Sequence, residues 1–183
     1  MASSILGKFS KSGSAKIKYI NYKSAIMIRQ ARISDIDKIV KLHIQNLKDG
    51  LLYSLGEKAL KLFYNDLLAD KRSFIFLFEE KNKIFGVAAS TKDANSFFKE
   101  FKRKNIFRLI PPMISKSVKD PVFPFRLAFS QEYPKVPEAE LLILFVAAIS
   151  RGRNIGTKLV RRTIEEFKKK KVSEFKITIL SKN

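Results

Sequence analysis

The sequence predicts a mixed α/β domain, and three observations lead there. Short runs rich in β-branched and aromatic residues are interleaved with segments whose apolar residues recur every three or four positions. Two of the β-rich runs are separated by a polar stretch of hairpin length, and a third stands directly before a glycine-containing turn and a helical segment. At 183 residues with 45% hydrophobic content, the chain suffices for one domain with a sizeable buried core.

The first 34 residues hold Lys8, Lys11, Lys16, Lys18, Lys23, Arg29 and Arg32 and no acid, with Ser and Gly concentrated between Ser3 and Ser14. Residues 1–26 therefore read as a basic extension resembling a leader or transit segment. Ile17 to Tyr22 alternate enough to form a strand instead. Organised sequence starts at Met27, where Met27 to Arg32 alternate as a strand and Ser34-Asp35-Ile36-Asp37 supplies an N-cap. Ile36, Ile39, Val40, Ile44 and Leu47 then mark one face of a helix, with His43 on that face. A second helix is marked by Leu55, Ala59, Leu60, Phe63 and Leu67. Ser73 to Phe78 and Ile84 to Ser90 predict two antiparallel strands around Glu79-Glu80-Lys81-Asn82-Lys83.

Residues 96–137 change character. Phe97 to Lys104 reads as a basic helix, and all six prolines lie between Pro111 and Pro137, so this stretch is expected to be an insertion of short helices and irregular connections. It is either a place where substrate or partner is met or a covering layer over one sheet face. Glu140 to Ala147 is apolar on both faces and predicts a central strand. The turn Ser150 to Gly156 leads into a helix over Thr157 to Lys170, with Leu159, Val160, Ile164 and Phe167 inward, and Glu174 to Leu180 forms the last strand.

Composition excludes several classes of chemistry. With no cysteine, disulfides and thiolate metal sites are ruled out, and the single histidine, His43, argues against a histidine-based zinc or iron site, so metal-free chemistry is expected. The longest apolar run, Leu141 to Ile149, falls well short of the roughly 20 residues of a membrane span. A cytoplasmic protein with no membrane partner is expected. The 37 Lys+Arg against 17 Asp+Glu, a formal net charge of +20, point to a polyanion: nucleic acid, an anionic surface or a phosphorylated cofactor. A merely solvating lysine surface accounts for the charge as well.

A buried strand followed by Arg151-Gly152-Arg153-Asn154-Ile155-Gly156 and a helix is a device for holding pyrophosphate. The helix start offers unpaired N–H groups and the positive dipole end, and glycine lets the backbone approach phosphate oxygens. The stretch has neither the Gly-Lys-Ser/Thr ending of a P-loop nor a G-x-G-x-x-G fingerprint.

Here the sequence resembles the GNAT superfamily of N-acyltransferases, which binds acyl-CoA with Arg/Gln-x-x-Gly-x-Gly/Ala between its fourth strand and third helix. Arg151, Gly156 and the surrounding Val146-(x)4-Arg151-Gly152-Arg153 match, and Asn154 stands where the family has Gly, a mild departure because Asn enters the left-handed region at modest cost. The order of elements from Met27 agrees, and Ser54-Leu55-Gly56-Glu57 with Phe63-Tyr64 resembles the second-helix region of small-molecule members.

The resemblance implies a GNAT-like central mixed, mostly antiparallel sheet flanked by helices over residues 27–183, with acetyl-CoA as co-substrate and a primary amine of a small molecule or peptide as acceptor. It implies that the backbone N–H of Val146 polarises the acetyl carbonyl and that the N–H groups of Arg151, Gly152, Arg153, Asn154, Ile155, Gly156 and Thr157 hold the pyrophosphate. Members with a general base on this strand place it four or six residues before the Val146 position, at Leu142 or Glu140, of which only Glu140 titrates. Glu140 is then either that base or an ordinary polar residue at a strand start. His43 and Tyr53 are either packed residues or acceptor contacts.

In the family the fifth strand is followed by a further helix and two strands, whereas Leu180-Ser181-Lys182-Asn183 ends this sequence, so an incomplete C-terminal part is expected, with association into a homo-oligomer favoured by the uncovered edge. Two other readings stand beside the enzyme: a nucleic-acid-binding module on a non-catalytic GNAT scaffold, using the basic helix from Phe97 to Arg108, and a structural chain pairing with a homologue.

Overall fold

The computed structural model describes residues 6–9, 15–18, 26–48, 50–121 and 137–177. Two short strands, β1 (Leu6–Phe9) and β2 (Ala15–Lys18), pair antiparallel with each other, apart from the main sheet. The main sheet has five strands in sequence order: β3 (Met27–Gln30), β4 (Ser73–Glu80), β5 (Lys83–Thr91), β6 (Glu140–Val146) and β7 (Lys176–Ile177). All neighbours are antiparallel except β6 and β7, which are parallel and joined through a helix. The rest of the expected last strand, Thr178 to Leu180, lies outside the described residues.

Alternation assigns the two faces. Ile75 and Leu77 of β4, Val87 and Ala89 of β5 and Ile143 and Phe145 of β6 meet α1 (Ile36–Asn46), α3 (Glu57–Ala69) and α4 (Ala94–Lys119). On the opposite face Phe74, Phe76, Phe78, Ala88 and Leu141 pack against α5 (Ile155–Lys169). Leu141 and Leu144 share that second face although three residues apart, because the β5–β6 register shifts at Ala89/Ser90 and Leu142 is the extra residue of a bulge. A short helix, α2 (Leu51–Ser54), precedes α3.

The hairpin between β4 and β5 closes through two residues, Lys81 and Asn82, both at positive φ (52° and 61°). Those signs at both central positions are what a type I′ turn needs, and the twist they impose matches that of the strands. The start of α1 is set by Asp35, whose carboxylate accepts hydrogen bonds from the Arg32 N–H (2.8 Å) and from the Arg29 guanidinium (2.7 and 2.8 Å). The Arg29 guanidinium holds that carboxyl below its ordinary range.

The expected short helices of the insertion are instead one 26-residue helix, α4, running through Pro111 and Pro112. Each proline removes one N–H bond to a carbonyl four residues back, here Phe107 and Arg108. Both of these residues lie on the exposed side of the helix, where solvent can satisfy carbonyls left without a donor. Burial of Phe97, Phe101, Asn105 and Leu109 at four-residue spacing holds the helix against α3, where Phe63 meets the rings of Phe97 and Phe101. Asn105 also donates to the Asp66 carboxylate of α3 and to the Phe101 carbonyl. Residues 122–136, the remainder of the expected insertion, lie outside the described residues.

Candidate functional site

Past Val146 the chain leaves the sheet, makes a 3-10 turn over Ala148–Ser150, and enters α5 through Arg151 to Asn154. Two residues take the left-handed conformation that reverses its direction: Gly152 at φ 78° and Asn154 at φ 57°, ψ 22°. Asn154 tolerates this because its side chain is short and polar. Its carbonyl accepts from the Lys158 N–H (3.1 Å), while its side chain makes no cap. The amides of Ile155, Gly156 and Thr157 form the first turn of a 15-residue helix at its positive dipole end. α5 begins two residues earlier than the Thr157 expected from periodicity, because Ile155 is itself buried against the sheet (2% exposed).

Three neighbours hold this turn. The Ala147 N–H donates to the Phe85 carbonyl of β5 (2.8 Å), the Ala148 N–H to Asn46 Oδ1 of α1 (2.8 Å), and Arg153 Nη2 to Glu80 Oε2 at the end of β4 (2.6 Å). Asn46 is fixed in turn by donating Nδ2 to the Leu42 carbonyl (2.8 Å). The turn is therefore anchored to a helix and two strands before any ligand arrives. Gly156 faces the end of β6: a Cβ built there would lie 3.8 Å from Val146 Cγ2. The residues expected to act on the acetyl carbonyl and on the pyrophosphate are thus brought together. Arg151, Gly152, Arg153, Asn154 and Thr157 are exposed around them.

The helix can sit this close because Gly86 of β5 has no side chain. A Cβ there would meet Ile155 Cγ2 at 2.8 Å and Leu159 Cδ1 at 2.9 Å. An isolated glycine inside a strand is a signal of close approach. Asn46 carried no such signal, since only the tertiary fold brings it to Ala148, 102 residues away.

The other sequence-derived candidates lie elsewhere. Glu140 is buried (4% exposed) at the opposite end of β6, with Lys176 Nζ of β7 at 3.4 Å from its Oε2. Val146 lies six residue steps further on, roughly 20 Å along the strand. The structure does not bring these two residues together. His43 (2% exposed) is turned into the core, where Nδ1 is 2.8 Å from the Tyr64 hydroxyl and the ring meets Phe145 edge-on at 5.6 Å. Burial lowers its pKa to about 4, so the ring is neutral near pH 7. Tyr53 is half-buried on α2, and neither residue lines the cavity that adjoins the end of β6.

That cavity measures about 820 Å³ and lies between α1 and the ends of β5 and β6, with Leu42, Asn46, Phe85, Ala147 and Ile149 among its walls. Among the described residues no cluster of His, Asp and Glu could hold a metal ion, and no helix is long and apolar enough to cross a membrane.

The acetyltransferase (GNAT) family matches residues 42–183 of the chain. Among solved structures, an aminoglycoside antibiotic 6'-N-acetyltransferase from Acinetobacter haemolyticus is 13% identical with a TM-score of 0.55, over 86% of this chain and 82% of that one. An aminoglycoside N-acetyltransferase in complex with CoA is 12% identical with a TM-score of 0.57, over 88% and 81%. A predicted acetyltransferase with acetyl-CoA from Clostridium acetobutylicum is 16% identical with a TM-score of 0.52, over 84% and 80%. At these identities the likeness is one of fold. No curated protein matches the sequence significantly.

Proposed function

Because the chain belongs to the acetyltransferase (GNAT) family, we propose that it moves an acetyl group from acetyl-CoA to a primary amine of a small molecule or peptide. The observation that carries this reading is the anchored turn between β6 and α5, whose uncapped first-turn amides lie beside Val146. The amides of Ile155, Gly156 and Thr157 hold the pyrophosphate, with Arg151 and Gly152 at its rim, and the helix dipole favours the negative charge. Arg153, tied to Glu80, sets the position of the turn as well as adding charge. The Val146 N–H polarises the acetyl carbonyl. The amine nitrogen bonds to the carbonyl carbon, the carbon–sulfur bond breaks, and CoA leaves as the thiolate.

The amine's proton passes to water in this reading. In this reading Glu140, roughly 20 Å along the strand from Val146 and paired with Lys176, does not take it directly. We assign the domain to residues 27–183, with 96–137 as an insertion in it. The nucleic-acid reading rests on net charge and gains no support from the turn.

The test is transfer itself. The chain has no cysteine, so free thiol appearing in solution reports released CoA and nothing else. Incubation with acetyl-CoA and a panel of primary amines should release thiol only when both substrates are present. Release that is independent of the amine, or none with any amine together with no binding of acetyl-CoA, contradicts the proposal.

A further inference from the structure

The cavity beside the end of β6 is lined by both basic and apolar residues. Its lining includes Lys38 and Lys41 of α1 and Lys83 at the start of β5, together with the apolar Leu42, Phe85 and Ile149. Among the described residues no carboxylate lines it. Among the described residues none of the three ammonium groups lies within 4.0 Å of an acidic oxygen, although Lys61, Arg72, Arg153 and Lys176 elsewhere are all paired. Asp35, which interacts electrostatically with Lys38, is itself paired with Arg29, and Glu80 is held by Arg153. The wall formed by Ala147 and Ala148 directly follows Val146 in the chain, so a molecule in the cavity reaches the end of the strand where the acetyl group is held.

Like charges left unbalanced around one space disfavour a cationic occupant and favour an anionic one, and lysine serves as a mobile point charge for phosphate or carboxylate oxygens. We propose that the cavity receives the anionic end of the acceptor, and that the acceptor is a primary amine carrying a phosphate or carboxylate group. This inference rests on the acetyltransferase reading above. It sets the chain apart from a site built for a polycationic amine, which would need acidic walls in this place.

The experiment uses the full chain and three acceptors of equal spacing: 4-aminobutyl phosphate, 4-aminobutanol and 1,4-diaminobutane. Thiol release should show a KM for the phosphate about tenfold below that of the alcohol, the size of one charge-assisted contact, with the diamine poorest. Lys41→Gln and Lys83→Gln should each raise the KM for 4-aminobutyl phosphate without raising that for acetyl-CoA. A preference for the diamine overturns the proposal. So does a rise confined to the KM for acetyl-CoA, which would give the oxyanion to the cofactor. Binding is read independently of turnover: 4-aminobutyl phosphate should move the backbone amide signals of Asn46 and Ala148, and less so in the Lys41→Gln/Lys83→Gln double variant. Unmoved signals overturn the proposal even if acetyl-CoA binds. Failure to bind acetyl-CoA, measured separately by calorimetry, counts against the acetyltransferase reading instead.

Discussion

At its Glu140 end β6 is buried and charge-balanced, with a carboxylate against the Lys176 ammonium and neighbouring strands on both sides. At its Val146 end it opens onto a left-handed turn, exposed arginines and the free first turn of α5. Both ends carry residue types that chemistry uses. The difference is one of availability: the Glu140 carboxylate is engaged by a cation within the sheet, whereas the first-turn amides of α5 receive no cap from the Asn154 side chain.

The comparison breaks most visibly if the Glu140 end proves catalytic. Glu140→Gln removes one partner of a buried ion pair and should cost roughly 3 kcal/mol of stability, seen as a lower denaturation midpoint, while leaving the shape of the pH–rate profile unchanged. Loss of an acid-limb pKa from that profile, with a rate falling by about 100-fold or more, would make it the general base.

A second substitution tests how the open end is kept in place. Gly86→Val puts a branched side chain where Ile155 and Leu159 already lie and should destabilise by about 1–3 kcal/mol through overpacking. CoA affinity measured below the unfolding transition should also fall, because α5 carries the turn. An unchanged midpoint would mean that the helix sits further from β5.

The buried His43 gives a smaller and pH-dependent effect. Its pKa in the fold, about 4, lies below its ordinary 6.5, so the unfolded chain binds more protons between those values. The contribution is fully present above about pH 6.5 and declines as pH falls towards 4, by at most on the order of 3 kcal/mol. His43→Leu should flatten stability across that window, and an identical slope in the variant would show that other groups set it.

The smallest effect is expected at Asn46. Asn46→Ala removes one hydrogen bond to the Ala148 amide and should cost about 1 kcal/mol. Its consequence for acetyl transfer should exceed its consequence for stability, since the freed amide belongs to the turn.

How much of this was legible in the sequence follows from the range of each interaction. The order of strands and helices, the central placement of β6 and the left-handed Asn154 were readable because each depends on a few adjacent residues and their spacing. Continuation of α4 through Pro111 and Pro112 was not, because burial of Phe97, Phe101 and Leu109 overrides a local rule. His43 was placed correctly on the apolar face of its helix, yet its pairing with Tyr64, like the bond from Ala148 to Asn46, depends on packing between distant segments. The six-residue spacing of Glu140 from Val146 was read from the sequence, while its ion pair with Lys176 depends on the parallel pairing of β6 with β7.

The central claim, that CoA is held on backbone amides at the start of α5, is tested most directly by calorimetry of CoA with the native chain and with Gly156→Val. A Cβ at Gly156 meets nothing closer than 3.8 Å, and valine is no worse a helix former than glycine, so the variant should fold with an unchanged melting temperature. Its side chain would nevertheless stand between the amides and the end of β6. The account predicts CoA binding to the native chain and binding weaker by about tenfold or more in the variant, the loss of roughly one charge-assisted contact. Equal affinity in two equally stable proteins would contradict it.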